Sequence, residues 1–105
     1  RMLREIIQVI DEHLDDPTFD LSTMTKQLNM SRSGIYRKVF AITGFKPHEL
    51  LRAVRMKRAA AMLRKGEMNV TQVMYQVGMR NPSHFARSFR KFYGMNPGKY
   101  RIGNI

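Results

Sequence analysis

The chain has 105 residues, a formal net charge of +11 and no cysteine. That length allows one compact domain or two very small units sharing a core, and the missing thiols exclude disulfides and cysteine-bound zinc. No apolar run approaches bilayer length and no signal peptide is visible, so membrane contact is not expected and the chain reads as cytoplasmic.

The charge is lopsided. Six of the eight acids (Glu5, Asp11, Glu12, Asp15, Asp16, Asp20) lie in the first twenty residues, while residues 21–105 carry 17 Lys and Arg against Glu49 and Glu67. Such a field favours a polyanion, nucleic acid before membrane. The chain begins at Arg1 without an initiator methionine, which reads as a piece of something longer.

Apolar residues recur at helical spacing almost throughout and no segment alternates like a strand, so the predicted fold is all-α with about seven helices. The first helix is expected over Met2 to Leu14, with Leu3, Ile6, Ile7, Ile10 and Leu14 on one face; Asp15, Asp16 and Pro17 end it. Asp20 caps a short helix from Leu21 to Leu28, Asn29 makes a left-handed turn, and Ser31 caps a helix from Arg32 to Thr43 that Gly44 stops.

Pro47 suits the first turn of a longer helix reaching about Arg64, with Leu50, Leu51, Val54, Ala59, Ala60 and Leu63 as its buried stripe. Asn69, with Gln72 three residues on, opens a short helix to Val77. Gly78 makes the next turn, Asn81-Pro82 starts a helix to Tyr93, Gly94 stops it, and Asn96-Pro97 starts a last turn around Lys99 to Arg101.

The second half repeats the first. At an offset of 49, Leu21, Met24, Gln27, Leu28 and Met30 fall on Val70, Val73, Gln76, Val77 and Met79, with Asn29 on Gly78. After the inserted Arg80 the offset is 50, and Ile35, Val39, Ile42, Gly44 and Pro47 fall on Phe85, Phe89, Phe92, Gly94 and Pro97. A short helix, a turn and a longer second helix make a helix-turn-helix. The expected organisation is one domain over 1–105, with units at 20–44 and 69–94 and a connecting helix at 47–65.

A generic helical repeat would share this periodicity. Two copies are too few for a solenoid, however, and each second helix is basic without a single acid: Arg32, Arg37 and Lys38 in one, His84, Arg87, Arg90 and Lys91 in the other. The core is expected to take Met24, Met30, Met62, Met74 and Met79 as gap fillers, and Phe85, Phe89 and Phe92 as a stripe. His13 and His48 are expected at the surface. Three scattered histidines without cysteine make neither a metal set nor a triad, and no glycine-rich phosphate loop precedes a helix, so no enzyme, cofactor or small-molecule ligand is expected.

The stretch Leu21 to Arg101 resembles the DNA-binding domain of AraC/XylS-type transcription regulators. The carrying segments are LSTMTKQLNMSRSGIYRKVFAITGFKP, RMKRAAAML and VTQVMYQVGMRNPSHFARSFRKFYGMNPGKYR, the last ending in the signature Gly94, Pro97, Tyr100, Arg101. IYRKVFAITG with RMKRAAAML further resembles the output domains of Bacteroidetes hybrid two-component regulators. That implies receiver or sensor domains upstream in the same chain, free in the cytoplasm or behind a membrane anchor. Thr25 and Asn29 stand where the family commonly has alanine and glycine, which predicts a looser first helix pair.

The resemblance implies that both second helices enter the major groove of double-stranded DNA. Ser33, Gly34, Tyr36 and Arg37, then Ser83, His84 and Arg87 with Pro82 nearby, would meet bases, arginine gripping guanine. Arg32, Lys38, Arg80, Arg90 and Lys91 would hold phosphate and set register. A connecting helix of about 18 residues spans ~27 Å, a spacer suited to grooves ~34 Å apart with some bending of the duplex. The acidic first helix is expected to face away from DNA. The alternatives are an RNA-binding protein and a helical protein-interaction module.

Overall fold

A computed structural model describes residues 2–103. Among them are seven helices and no strand: α1 (Met2–Glu12), α2 (Leu21–Leu28), α3 (Arg32–Thr43), α4 (Pro47–Lys65), α5 (Val70–Gln76), α6 (Pro82–Tyr93) and α7 (Pro97–Ile102). None of these helices is long and apolar enough to cross a membrane.

The helices start where the sequence supplies caps. The side chains of Asp20, Ser31, Asn69, Asn81 and Asn96 each accept from a backbone amide three residues on, satisfying donors that the first turn leaves open. At α4 the cap is reversed: Glu49 Oε1 accepts from the Lys46 amide at 2.8 Å. Helix α1 stops at Glu12, earlier than its apolar pattern suggests, because residues 13–15 tighten into a turn that brings Leu14 onto the second core.

Two cores sit side by side along α4. The first gathers Ile6 and Ile10 of α1, Phe19, Met24, Ile35 and Val39 around Leu50, Leu51 and Val54; the second gathers Val73, Met74, Val77, Phe85 and Phe89 around Met56, Ala59, Ala60 and Leu63. One helix therefore serves as a beam for both units, packing on α1 and α3 through one half and on α5, α6 and α7 through the other. The predicted α4 stripe is buried, and Met56, absent from it, is fully buried as well. Of the five methionines expected as filler, Met24 and Met74 are buried while Met30, Met62 and Met79 pack at the margins.

One apolar pairing of the repeat is corrected. Ile42 and Phe92 share a place at the ends of α3 and α6, yet they are 53% and 42% exposed. Helical spacing puts them on the core side, but they lie in the last turns of α3 and α6, outside both core clusters and the residues packed against them. His13, expected at the surface, is half-buried and stacked on Phe19 with ring centroids 4.8 Å apart.

The first unit closes its turn despite its departures. Asn29 adopts the left-handed conformation (φ 53), the Met30 amide donates to the Thr25 carbonyl at 3.1 Å, and the Thr25 hydroxyl donates to Ser22 O at 2.6 Å. The signature residues at the other end hold the fold. Gly94 is the left-handed stop of α6, Pro97 is buried in the first turn of α7, and Tyr100 packs on Phe89 and Tyr93. Arg101 donates to Met68 O at 2.7 Å and Gly66 O at 3.0 Å, tying α7 to the loop after α4.

Candidate nucleic-acid interface

Each recognition helix buries one side and shows the other. Ile35 and Val39 anchor α3, Phe85 and Phe89 anchor α6, and the residues half a turn round are free of the core. On α3 the exposed line is Ser33, Arg37 and Ala41; on α6 it is Ser83, Arg87 and Lys91. Both lines step by four residues, and they coincide at the offset of 50, so Ser33 matches Ser83 and Arg37 matches Arg87. The fold presents the same Ser-x-x-x-Arg element twice.

Beside that line the helices diverge. Tyr36 and Phe40, stacked with centroids 6.2 Å apart, are 42% and 50% exposed on α3; the equivalent places on α6 hold Ala86 and Arg90. The first face is thus partly aromatic and the second almost wholly basic. Tyr36 is exposed as expected of a base contact, and Phe40, Phe45, Tyr75 and Phe92 are exposed as well.

The other expected contact residues fall as follows. Gly34 does not face outward: it is buried, its amide donates to Ser31 Oγ at 3.0 Å, and a Cβ there would meet that same oxygen at 3.0 Å. Arg32 is exposed and donates to Ser22 Oγ at 2.9 Å, bracing α3 on α2 without losing its charge to a carboxylate. Lys38 is exposed on the opposite flank of α3 from Tyr36, where α6 has the buried Ser88. Arg80 is exposed in the turn before α6, with Pro82 exposed at its start, and Arg90 and Lys91 are exposed along it. His84 is half-buried and turned toward α4, lining clefts with His48, Arg52 and Arg55.

That orientation brings in residues the sequence did not single out. Arg52 of α4 lines a cleft with His84, Arg87, Arg90 and Lys91, and Phe45 lines the neighbouring one with Phe92. For Arg52 the only sequence cue is the near absence of acids on α4. Arg55 plays a structural part: its Nη2 donates to Asp16 O at 2.8 Å and its Nε is buried with no partner among the described residues. Burial lowers its pKa, opposed by the nearby Asp16 charge, yet a guanidinium stays protonated. Asp11 pairs with Arg58 through two bonds of 2.7 and 2.8 Å, so part of the acidic α1 is tied to α4.

Ser33 and Arg37 of α3 thus recur as Ser83 and Arg87 of α6, on the free faces of two helices backed by one beam. A family model described as a helix-turn-helix domain matches residues 24–102. The chain belongs to the AraC-type helix-turn-helix family. As a domain of that family it serves DNA binding in transcription regulation. The HTH-type transcriptional regulator MtrA of Neisseria gonorrhoeae is 31% identical over 102 residues, 96% of this chain and 33% of the regulator. Histidine kinase P4 of Formosa agariphila is 30% identical over 101 residues, 96% of this chain and 7% of the kinase. The chain thus spans a third or less of either relative. The DNA-binding domain of AdpA, solved in complex with a target DNA, superposes with a TM-score of 0.85 at 30% identity, covering 96% of this chain and 90% of that one.

Proposed function

We propose that this AraC-type domain seats α3 and α6 in successive major grooves of one duplex, reading two short elements on one face. The observation that carries the reading is the Ser-x-x-x-Arg line placed identically on both free helix faces, at two places along the rigid α4. Units at 20–44 and 69–94, with 47–65 as spacer, are the working division.

Arg37 and Arg87 are assigned to guanine, each bidentate contact contributing ~1–3 kcal/mol of discrimination. Ser33, Ser83 and His84 meet neighbouring base edges. Tyr36 offers an apolar edge to a thymine methyl, as apolar side chains do in the major groove. Arg32, Lys38, Arg80, Arg90 and Lys91 hold phosphates.

The domain acts at the output end of a longer, cytoplasm-facing two-component chain whose upstream receiver or sensor domains carry the signal. Support comes from the histidine kinase that shares 30% identity with it over 101 residues.

A competition gel shift with specific duplex, random duplex and single-stranded RNA tests the reading. Specific duplex is expected to displace the probe best. Equal competition by random duplex contradicts sequence-specific reading, and equal competition by RNA would give the exposed Tyr36–Phe40 stack a base-stacking part instead.

A further inference from the structure

Helix α4 carries four arginines, and three of them are engaged in the fold. Arg55 donates to Asp16 O, Arg58 pairs with Asp11, and Arg64 donates to Tyr100 Oη at 2.7 Å. Arg52 is exposed and makes no hydrogen bond or ion pair among the described residues. It nevertheless sits at a crowded place, lining three adjoining clefts between α4 and α6.

The largest of these, open and about 550 Å³, is lined by Arg52, His84, Arg87, Ser88, Arg90 and Lys91, with no carboxylate among them. The next holds one acid, Glu49, whose Oε1 is already occupied by the Lys46 amide. Arg52, Arg87 and Lys91 therefore converge on one space without an opposing charge. Like charges held together repel unless an anion joins them, and a phosphodiester suits a guanidinium fork with an ammonium beside it.

We infer that Arg52 and Lys91 form a phosphate site for the DNA backbone on the side of the α6 element that faces α4. Resting on the two-groove reading, this adds a third fixed point that comes from the beam and not from a recognition helix. A contact carried on the rigid α4 fixes the angle at which α6 enters its groove, so Arg52 is a positioning residue with no part in base choice.

Fluorescence anisotropy on the whole domain tests this, using one duplex selected for tight binding and one random duplex across a range of salt. The variants are Arg52→Ala and Arg52→Lys, each checked for parental helix content. Arg52→Ala is expected to weaken both duplexes about tenfold and to make the salt slope shallower by ~0.9. Arg52→Lys is expected to keep the slope and regain most of the affinity. Ethylating backbone phosphates should reveal one position beside the α6 element that weakens the parent and no longer matters to Arg52→Ala.

Unchanged affinity and slope, or a loss confined to one base sequence, would overturn the assignment. Failure of the two-groove reading looks different: the parent itself would not prefer the selected duplex, while the Arg52 slope would still report on the phosphate site.

Discussion

Asn29 and Gly78 hold the same place in the two units, and both have positive φ, 53 and 78. Their surroundings differ. A Cβ on Gly78 would lie 2.6 Å from Leu14 O and 3.0 Å from Arg55 Nη2, because the segment after α1 and the pinned arginine press against that turn. Gly78→Ala is therefore expected to cost about 2–4 kcal/mol, left-handed strain and a backbone clash together, measured by thermal or urea unfolding. Asn29→Gly should change stability by less than ~1 kcal/mol, since asparagine already tolerates the conformation. The departure from the family's glycine at Asn29 was legible in the sequence. Why it is harmless there and would not be at Gly78 was not, because the obstructing atoms come from residues 23 and 64 positions away. Asp16, next to that contact, has its carboxyl held below its usual 3.8, chiefly by the Thr18 hydroxyl and amide. A lowered folded-state pKa stabilises above the unfolded value and loses that contribution as pH falls through the lowered one. The stability gap between Asp16→Asn and the parent should accordingly be full at neutral pH and close in acid.

At the scale of elements, caps and glycines made most helix limits readable, since each supplies or removes a specific hydrogen bond. Periodicity also found the α4 stripe, but it placed Ile42 and Phe92 in a core that does not extend to the last turns of α3 and α6 on that side. Spacing reports which side of a helix a residue is on, not how far the core extends along it. Phe40 and Arg52 were missed as surface features for a related reason: their importance depends on which elements stand beside them. Helix α1 shows how unequal its ties to α4 are. Asp11 and Arg58 are each more than a third exposed, so Asp11→Asn is expected to cost under ~1 kcal/mol despite the bidentate geometry. Ile10 is fully buried between α1 and the first core, and Ile10→Ala should cost about 2–5 kcal/mol. Urea unfolding of the two variants separates the contributions. Arg101→Met, losing two bonds that hold α7 to the loop after α4, falls between them at about 1–3 kcal/mol.

The whole molecule is elongated, 41 × 24 × 23 Å, with the 19-residue α4 supplying about 28 Å of stiff spacer. A straight duplex repeats its major groove every ~34 Å, so a beam of this length fits best when the DNA bends toward the protein. The two faces it carries are not copies of each other. The Tyr36–Phe40 face should favour thymine beside its guanine, whereas the α6 face, with Arg87, Arg90 and Lys91, should lean more on backbone charge. Lys91→Ala is then expected to weaken every duplex alike and flatten the salt slope by ~1 in anisotropy titrations. The duplicated Ser-x-x-x-Arg line is the centre of this account, and selection of tight-binding duplexes from a randomised pool addresses it directly. The parent should recover two motifs centred ~10 bp apart. Arg37→Ala should recover only the motif read by α6, and Arg87→Ala only the one read by α3. Recovery of a single motif by the parent, or of both motifs unchanged by either variant, would contradict a domain that reads DNA with two heads.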